Sequence, residues 1–337
     1  MEISNKPLTL KTMIANSSLL IGLLAMTLIA GIFLNLNIFQ LINQNMPGGP
    51  LFWLNLTHLG DALVAVTLFS ALLHKHSKWL CALTISILLS VIIVQGLKHA
   101  FDAPRPPAKL PVDQIRVLTP TLQDSVNLNN MKIDYEKLVD NRVDISAVWS
   151  LIQSDPSSKE ALYWVPRMNG QITKKQFGIA FSKESLALKE GTYDGIYRPS
   201  NRSFPSGHSA SIICAITLLL LYLKRAMWSL ILPLIGLVVA GTRVVIGVHW
   251  PLDIAVGGLI GYVIALLGIW ISQNTSVASW IIIRQFNALL PFAASIYLIV
   301  RPPVYPEVML LEIICGGTAL AFISLKYWQQ RIKIHKN

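Results

Sequence analysis

Residues 205–223 read PSGHSASIICAITLLLLYL. Proline, serine and glycine signal a turn and a helix start, and an apolar run then continues to Leu223 before Lys224 and Arg225 close it. A run of this kind approaches the ~20 apolar residues that a bilayer-crossing helix needs. His208 stands in its first turn, where packing inside a membrane gives an imidazole little reason to be. The stretch therefore makes two statements at once: the chain crosses a membrane, and a titratable side chain waits at the mouth of one crossing.

Similar runs lie on both sides. Spans are expected at 18–39, 52–73, 79–98, 207–223, 227–243, 253–271, 281–300 and 307–325, the seventh being interrupted by Arg284 and Pro291. The composition agrees: 53% of residues are hydrophobic and 13% charged, against the ~25% charged of soluble domains. The expected fold class is an all-α integral membrane protein. The first span is too long and too weakly flanked for a cleaved signal peptide, and is expected to remain as an anchor.

Basic residues orient the spans. With the N-terminus inside, the inner segments hold Lys6, Lys11, Lys75, Lys78, Lys224, Arg225, Arg284, Lys326, Arg331, Lys333 and Lys336, with Glu2 as their acid. The segment 99–205 then lies outside, where 14 basic residues face 12 acidic ones. The net charge of +11 is thus mostly a topology signal. No basic stripe interleaved with aromatics occurs outside the spans, which excludes a nucleic-acid partner. Cys81, Cys214 and Cys315 all fall in apolar runs, without the spaced partners a metal site needs.

The external segment opens with Pro104, Pro106, Pro107 and Pro111, expected to be extended. Short helices are compatible with the apolar spacing in 134–154, and runs at 161–165 and 172–181 flank a hairpin signal at Asn169-Gly170.

Three short motifs sit at span mouths on this same external side. Lys98 ends the third span, and Arg105-Pro106 follows, the prolines stiffening a return over the membrane. Arginine suits bidentate contact with phosphate oxygens, and lysine acts as a point charge. Ser206-Gly207-His208 opens the fourth span, where free backbone N–H groups and the positive dipole end make an anion site. Gly207 leaves room for an oxyanion. Arg243 ends the fifth span, and His249 and Asp253 begin the sixth, four residues apart, so the carboxylate lies close below the imidazole if the helix starts near Pro251. Such a carboxylate fixes the ring tautomer and leaves the other nitrogen free as a nucleophile. Three cations, two imidazoles and one orienting carboxylate suffice for phosphoryl transfer without a metal.

The motifs read KHAFDAPRP, PSGH and TRVVIGVHWPLD, and this pattern resembles the type-2 phosphatidic acid phosphatase family: Lys-x6-Arg-Pro, Pro-Ser-Gly-His, then Ser-Arg-x5-His-x3-Asp. Thr242 stands where serine is usual, and the hydroxyl is kept. The resemblance covers roughly residues 50–270. It implies a six-helix phosphatase core; the two extra C-terminal spans are not explained by that core, and the external segment is expected to be a small α+β insertion. Residues 1–98 would hold spans one to three, 99–205 the insertion, 206–272 spans four to six, and 273–337 the last two spans with a basic cytoplasmic tail.

The resemblance also implies roles. His249 would attack phosphorus with Asp253 orienting it, and His208 would protonate the leaving oxygen and then activate water. Lys98, Arg105, Arg243, Ser206 and the Gly207 backbone would hold the phosphate oxygens. Neither metal nor cofactor is expected, and no obligate protein partner is implied. The substrate would be a membrane lipid bearing a phosphate or diphosphate: polyprenyl diphosphate, phosphatidylglycerophosphate or phosphatidate. The location would be the bacterial cytoplasmic (inner) membrane, with the site facing the periplasm. The alternatives are a lipid-diphosphate-dependent phosphotransferase acting on lipid A, and a non-catalytic lipid-binding or transport protein. Asp61, in the second span, is expected to hydrogen-bond to Thr57 or a neighbouring helix, the alternative being that it touches the pocket. Glu312, in the eighth, is given no role.

Overall fold

The structure is a computed structural model that describes residues 8–110, 114–116, 202–223, 225–301, 303 and 306–336. These residues are helical, with short connections and no strand among them. The helices are α1 (Leu10–Asn16), α2 (Ser18–Asn45), α3 (Pro50–His58), α4 (Ala62–Leu73), α5 (Ser77–Phe101), α6 (Gly207–Leu223), α7 (Ala226–Val245), α8 (Pro251–Asn274), α9 (Ile281–Val300) and α10 (Met309–Lys336). The expected short helices within 134–154 and the hairpin around Asn169-Gly170 lie outside the described residues.

Among the described residues, six helices are long and apolar enough to cross a membrane: α2, α5, α7, α8, α9 and residues Met309–Gln329 of α10. The expected span 52–73 is not one straight helix. It is the pair α3–α4, bent by 54°. The cause is local: Asp61 leaves the helical region (φ −63°, ψ 135°) and its side chain accepts the N–H groups of Leu63 and Val64, so it caps a new helix instead of continuing the old one. In α9, by contrast, the helix runs on through Pro291.

At 17 residues α6 is only ~26 Å long by helical rise, short for a bilayer. It is also the central helix. Ser209, Ala210, Ile212–Leu218 and Leu220–Tyr222 are all buried, so almost every face of it packs against protein. Around it stand α4, α5, α7 and α8. Two apolar clusters fill the bundle. One joins Leu20 and Leu24 of α2 to Ile213, Ile216, Leu232 and Ile254. The other joins Trp79 and Leu83 of α5 to Leu218, Leu221 and Ile264.

Helix α8 reaches its neighbours through small residues, as helices in lipid commonly do. A Cβ on Gly257 would run into the Ser206 carbonyl, and one on Gly261 into the Ala210 carbonyl, both on the α6 side. A Cβ on Gly268 would stand 2.7 Å from the Ala82 carbonyl of α5. At the outer edge, α9 and α10 pack on each other and on α4. The Thr84 hydroxyl of α5 donates to Asn287 Oδ1 of α9 at 2.7 Å.

The α6–α8 contact predicts an asymmetry between two glycine substitutions. Gly261→Ala forces a Cβ into backbone and should cost about 1–3 kcal/mol, as overpacking does, lowering the thermal midpoint of the detergent-purified protein. Gly22→Ala in α2 meets nothing within 4 Å and should leave the midpoint unchanged or raised. Equal midpoints for the two variants would remove the close α6–α8 approach.

Candidate active site

The C-terminal end of α5, the start of α6, the end of α7 and the start of α8 meet at one end of the bundle. The site grows from the turn between α7 and α8. Val248 and His249 both donate their N–H groups to the Arg243 carbonyl, at 3.1 and 3.3 Å, which folds the chain back on the last turn of α7. Gly247 makes this possible with φ of 80°, a left-handed value. Asn43 of α2 braces the same turn, its Nδ2 donating to the carbonyls of Val245 at 3.0 Å and Arg116 at 2.7 Å.

Pro251 occupies the first turn of α8, as expected, and Asp253 follows as its acidic residue. Asp253 Oδ2 accepts the Trp250 N–H at 2.9 Å and lies 3.2 Å from His249 Nδ1. It also accepts a very short hydrogen bond from the Ser203 hydroxyl. Nδ1 therefore carries the ring proton and Nε2 keeps its lone pair. Consistent with this, Arg105 Nη1 donates to the Val248 carbonyl at 2.7 Å and points at His249 Nε2 from 3.2 Å.

His249 is 2% exposed. Burial pushes its pKa well below the ordinary imidazole value, and the charges of Arg105, Arg243 and Lys98 push it in the same direction. The ring is neutral at physiological pH. Arg105, Arg243, Ser206 and Asp253 are buried as well. Ser206 caps α6, its Oγ accepting from Ser209 N–H at 3.4 Å, and its own N–H donates to the Asp253 carbonyl at 3.0 Å. That bond places Gly207 and His208 beside the start of α8. His208 is half-buried and faces a cavity of about 220 Å³ lined along α5 by Leu83, Ile87, Val91 and Val94.

Lys98 Nζ donates to the Arg202 carbonyl at 2.7 Å. This contact belongs to a neck where the chain leaves the membrane after α5 and returns before α6. There Ser203 N–H donates to the Ala103 carbonyl at 2.7 Å, Arg202 pairs with Asp102 at 2.6 Å, and the Phe101 and Phe204 rings meet edge-on at 5.0 Å. The proline-rich stretch is not uniformly extended. Arg105 is, but Pro106–Ala108 forms a 3₁₀ turn, with Lys109 and Leu110 N–H groups on the Pro106 carbonyl. Proline's fixed φ suits the start of such a turn as well as an extended strand.

The profile of the PAP2 superfamily matches residues 79–276. The chain belongs to that family. The match takes in α5 to α8 and all eight candidate residues, and it leaves α9 and α10 outside. An undecaprenyl-diphosphatase from Sulfolobus acidocaldarius is 40% identical over 78 residues, covering 23% of this chain and 37% of that protein. No solved structure matches.

Hydrogen bonds thus join Arg105 to His249, His249 to Asp253 and Asp253 to Ser206, and the charges of Arg105, Arg243 and Lys98 act on the His249 ring. Sequence reasoning missed Ser203, which stands three residues before Ser206 in no motif and whose hydroxyl holds the Asp253 oxygen. Asp61 was half anticipated: its helix partner is Arg301, at 3.3 Å, while no hydrogen bond to Thr57 forms. Glu312, given no role, is buried in that same group. Among the described residues no three His, Cys, Asp or Glu side chains are grouped as a metal site.

The electrostatics predict how His249 titrates. In phosphate-free protein its ring should stay neutral while pH falls through ~6.5, the ordinary imidazole value. Arg105→Gln removes one repelling cation and should raise its pKa. Histidine-labelled NMR in micelles, with His249→Ala to assign the signal, reads both. A His249 that charges near 6.5 in the unsubstituted protein would contradict this site.

Proposed function

We propose that the protein is a membrane phosphatase hydrolysing a lipid phosphate or diphosphate through a phosphohistidine intermediate at the external membrane face. The observation that carries the reading is the state of His249. Its Nδ1 is held by Asp253, and its Nε2, neutral and nucleophilic, faces a guanidinium 3.2 Å away. Phosphate oxygens are the natural partners of that guanidinium. Substrate would draw Arg105 onto its oxygens and uncover Nε2 for attack.

In the first step Nε2 gives its lone pair to phosphorus, in line with the departing oxygen. The P–O bond breaks with its electrons on that oxygen, and His208 supplies the proton. Lys98, Arg105, Arg243 and the N–H groups at the start of α6 meet the charge spreading over the equatorial oxygens, as Mg²⁺ does in kinases. Asp253 stabilises the charged histidine. In the second step neutral His208 takes a proton from water. The water oxygen bonds to phosphorus, the P–Nε2 bond breaks, and phosphate leaves with His249 neutral again.

Two observations favour a lipid carrier. The mouth of the site lies at the ends of membrane-spanning helices, and the cavity beside His208 is lined by apolar side chains of α5. The name of the archaeal relative favours a polyprenyl diphosphate among lipid phosphates. The distribution of basic residues favours an external site, because the inner connections carry the Lys and Arg excess. Residues 99–205 form an external insertion on this reading, and a cytoplasmic membrane is the setting.

Purified full-length protein should release inorganic phosphate from mixed micelles of undecaprenyl diphosphate, phosphatidylglycerophosphate or phosphatidate, with excess EDTA present. His249→Ala should abolish turnover of every substrate. General acid catalysis is typically worth ~10²–10⁴-fold, and least where the leaving group is already a stable anion. His208→Ala should therefore lose about that much in single-turnover rate on phosphatidate, and far less on 4-nitrophenyl phosphate. Activity that disappears with EDTA and returns with Mg²⁺ would overturn the metal-free mechanism.

A further inference from the structure

Outside the family-matched segment, the chain buries a second polar cluster in the membrane region. His58 at the end of α3 and Glu312 in α10 are each 2% exposed, and His58 Nε2 lies 2.6 Å from Glu312 Oε1. Arg301, where α9 ends, sends Nη2 to Glu312 Oε1 at 2.6 Å and to Asp61 Oδ1 at 3.3 Å. Asn55 of α3 adds a bond to the Glu307 carbonyl at 3.1 Å, just ahead of α10. Charged groups buried in this way are costly, and a pair that loses one partner leaves the other uncompensated. A helix pair needing only to pack on α4 has apolar contacts for that purpose, among them Leu298 and Cys315 on Val64.

The cluster grips the two sides of the α3–α4 break: His58 before it and Asp61 after it. The break itself adjoins the start of α6. A Cβ on Gly60 would stand 3.6 Å from the backbone carbonyl of His208 and 3.4 Å from Val239 of α7. Asp61 and Ala62 share the walls of one cavity with Gly207, His208 and Ser211. Among the described residues, no hydrogen bond orients the His208 ring in the way Asp253 orients His249. The residues just after the α3–α4 break line the cavity that the His208 side chain faces.

We infer that Arg301 and Glu312, supplied by the C-terminal helix pair, are positioning residues for His208: they lock the α3–α4 break behind it through Asp61 and His58. The inference rests on the reading of His208 as the proton donor to the leaving group. Neither residue touches the reacting atoms. Their loss lets the break relax and His208 move off the leaving oxygen, while His249, Asp253 and the cations, held by α5, α7 and α8, stay in place.

The test uses full-length protein in detergent and compares single-turnover rates on phosphatidate and on 4-nitrophenyl phosphate, each relative to the unsubstituted protein. Arg301→Gln is expected to lose about 10- to 100-fold on the alkyl phosphate and no more than about 3-fold on the aryl phosphate. Arg301→Lys keeps a point charge between the carboxylates and should recover part of the loss. In a His208→Ala background, Arg301→Gln should cause no further loss, because the group it positions is gone. Equal losses on both substrates, no loss on either, or losses that add to His208→Ala would each overturn the inference. Should Arg301→Gln not give folded protein, Glu312→Gln, which keeps the side-chain volume, is read by the same comparison. His208→Ala alone separates the two readings. Equal losses there would remove the acid assignment itself, whereas a substrate-selective His208→Ala with an unselective Arg301→Gln would remove only the positioning role.

Discussion

Ser206 donates its backbone N–H to the carbonyl of Asp253, and this bond of 3.0 Å depends on how closely two helix starts can approach. One turn further into α8, Gly257 presents no side chain to the Ser206 carbonyl, and Gly261 none to that of Ala210. The whole site follows from this contact. It brings the start of α6, with Gly207 and His208, against the start of α8, with His249 and Asp253 nearby. A membrane provides no hydrophobic drive for one helix to prefer another, so the selectivity must come from close backbone packing and from polar contacts such as this one.

Charge is arranged with the same economy. One carboxylate, Asp253, serves a site with three cations, and its accepting oxygen is already engaged by Trp250, Ser203 and His249. Lys98 and Arg105 are anchored by the carbonyls of Arg202 and Val248, which fix their positions without cancelling their charge. The result is a buried region with a positive excess. Burial keeps the His249 ring uncharged, and the charges of Arg105, Arg243 and Lys98 push in the same direction.

Much of this was legible in the chain. Long apolar runs announce membrane helices whatever their tertiary packing, because in lipid the backbone must satisfy its own hydrogen bonds. Span 207–223 matches α6 residue for residue. The i, i+4 placement of His249 and Asp253 gave their contact directly, since it is a property of one helix start. What stayed hidden depends on partners distant in sequence. The bend at Asp61 comes from a capping side chain that a hydropathy pattern does not weigh, and the Asp61–Arg301–Glu312–His58 group joins positions up to 254 apart. Ser203 was invisible for a different reason: a lone serine next to a turn has many uses, and only the position of the Asp253 oxygen selects one.

The neck between Ala103 and Ser203 has a consequence for how this protein can vary. The chain's departure from the membrane and its return are fastened to each other by the Ser203–Ala103 hydrogen bond and the Arg202–Asp102 pair, and on the departing side Arg116 is tied back to Asn43. Joining the ends of a connection of twice the length costs only ~0.6 kcal/mol more, so a neck fastened in this way tolerates a change in the length of the intervening chain at small expense to the helix ends beside it. The meeting helix ends and the chain between Arg116 and Arg202 are therefore free to change at different rates, the first being held by the interlocked starts of α6 and α8.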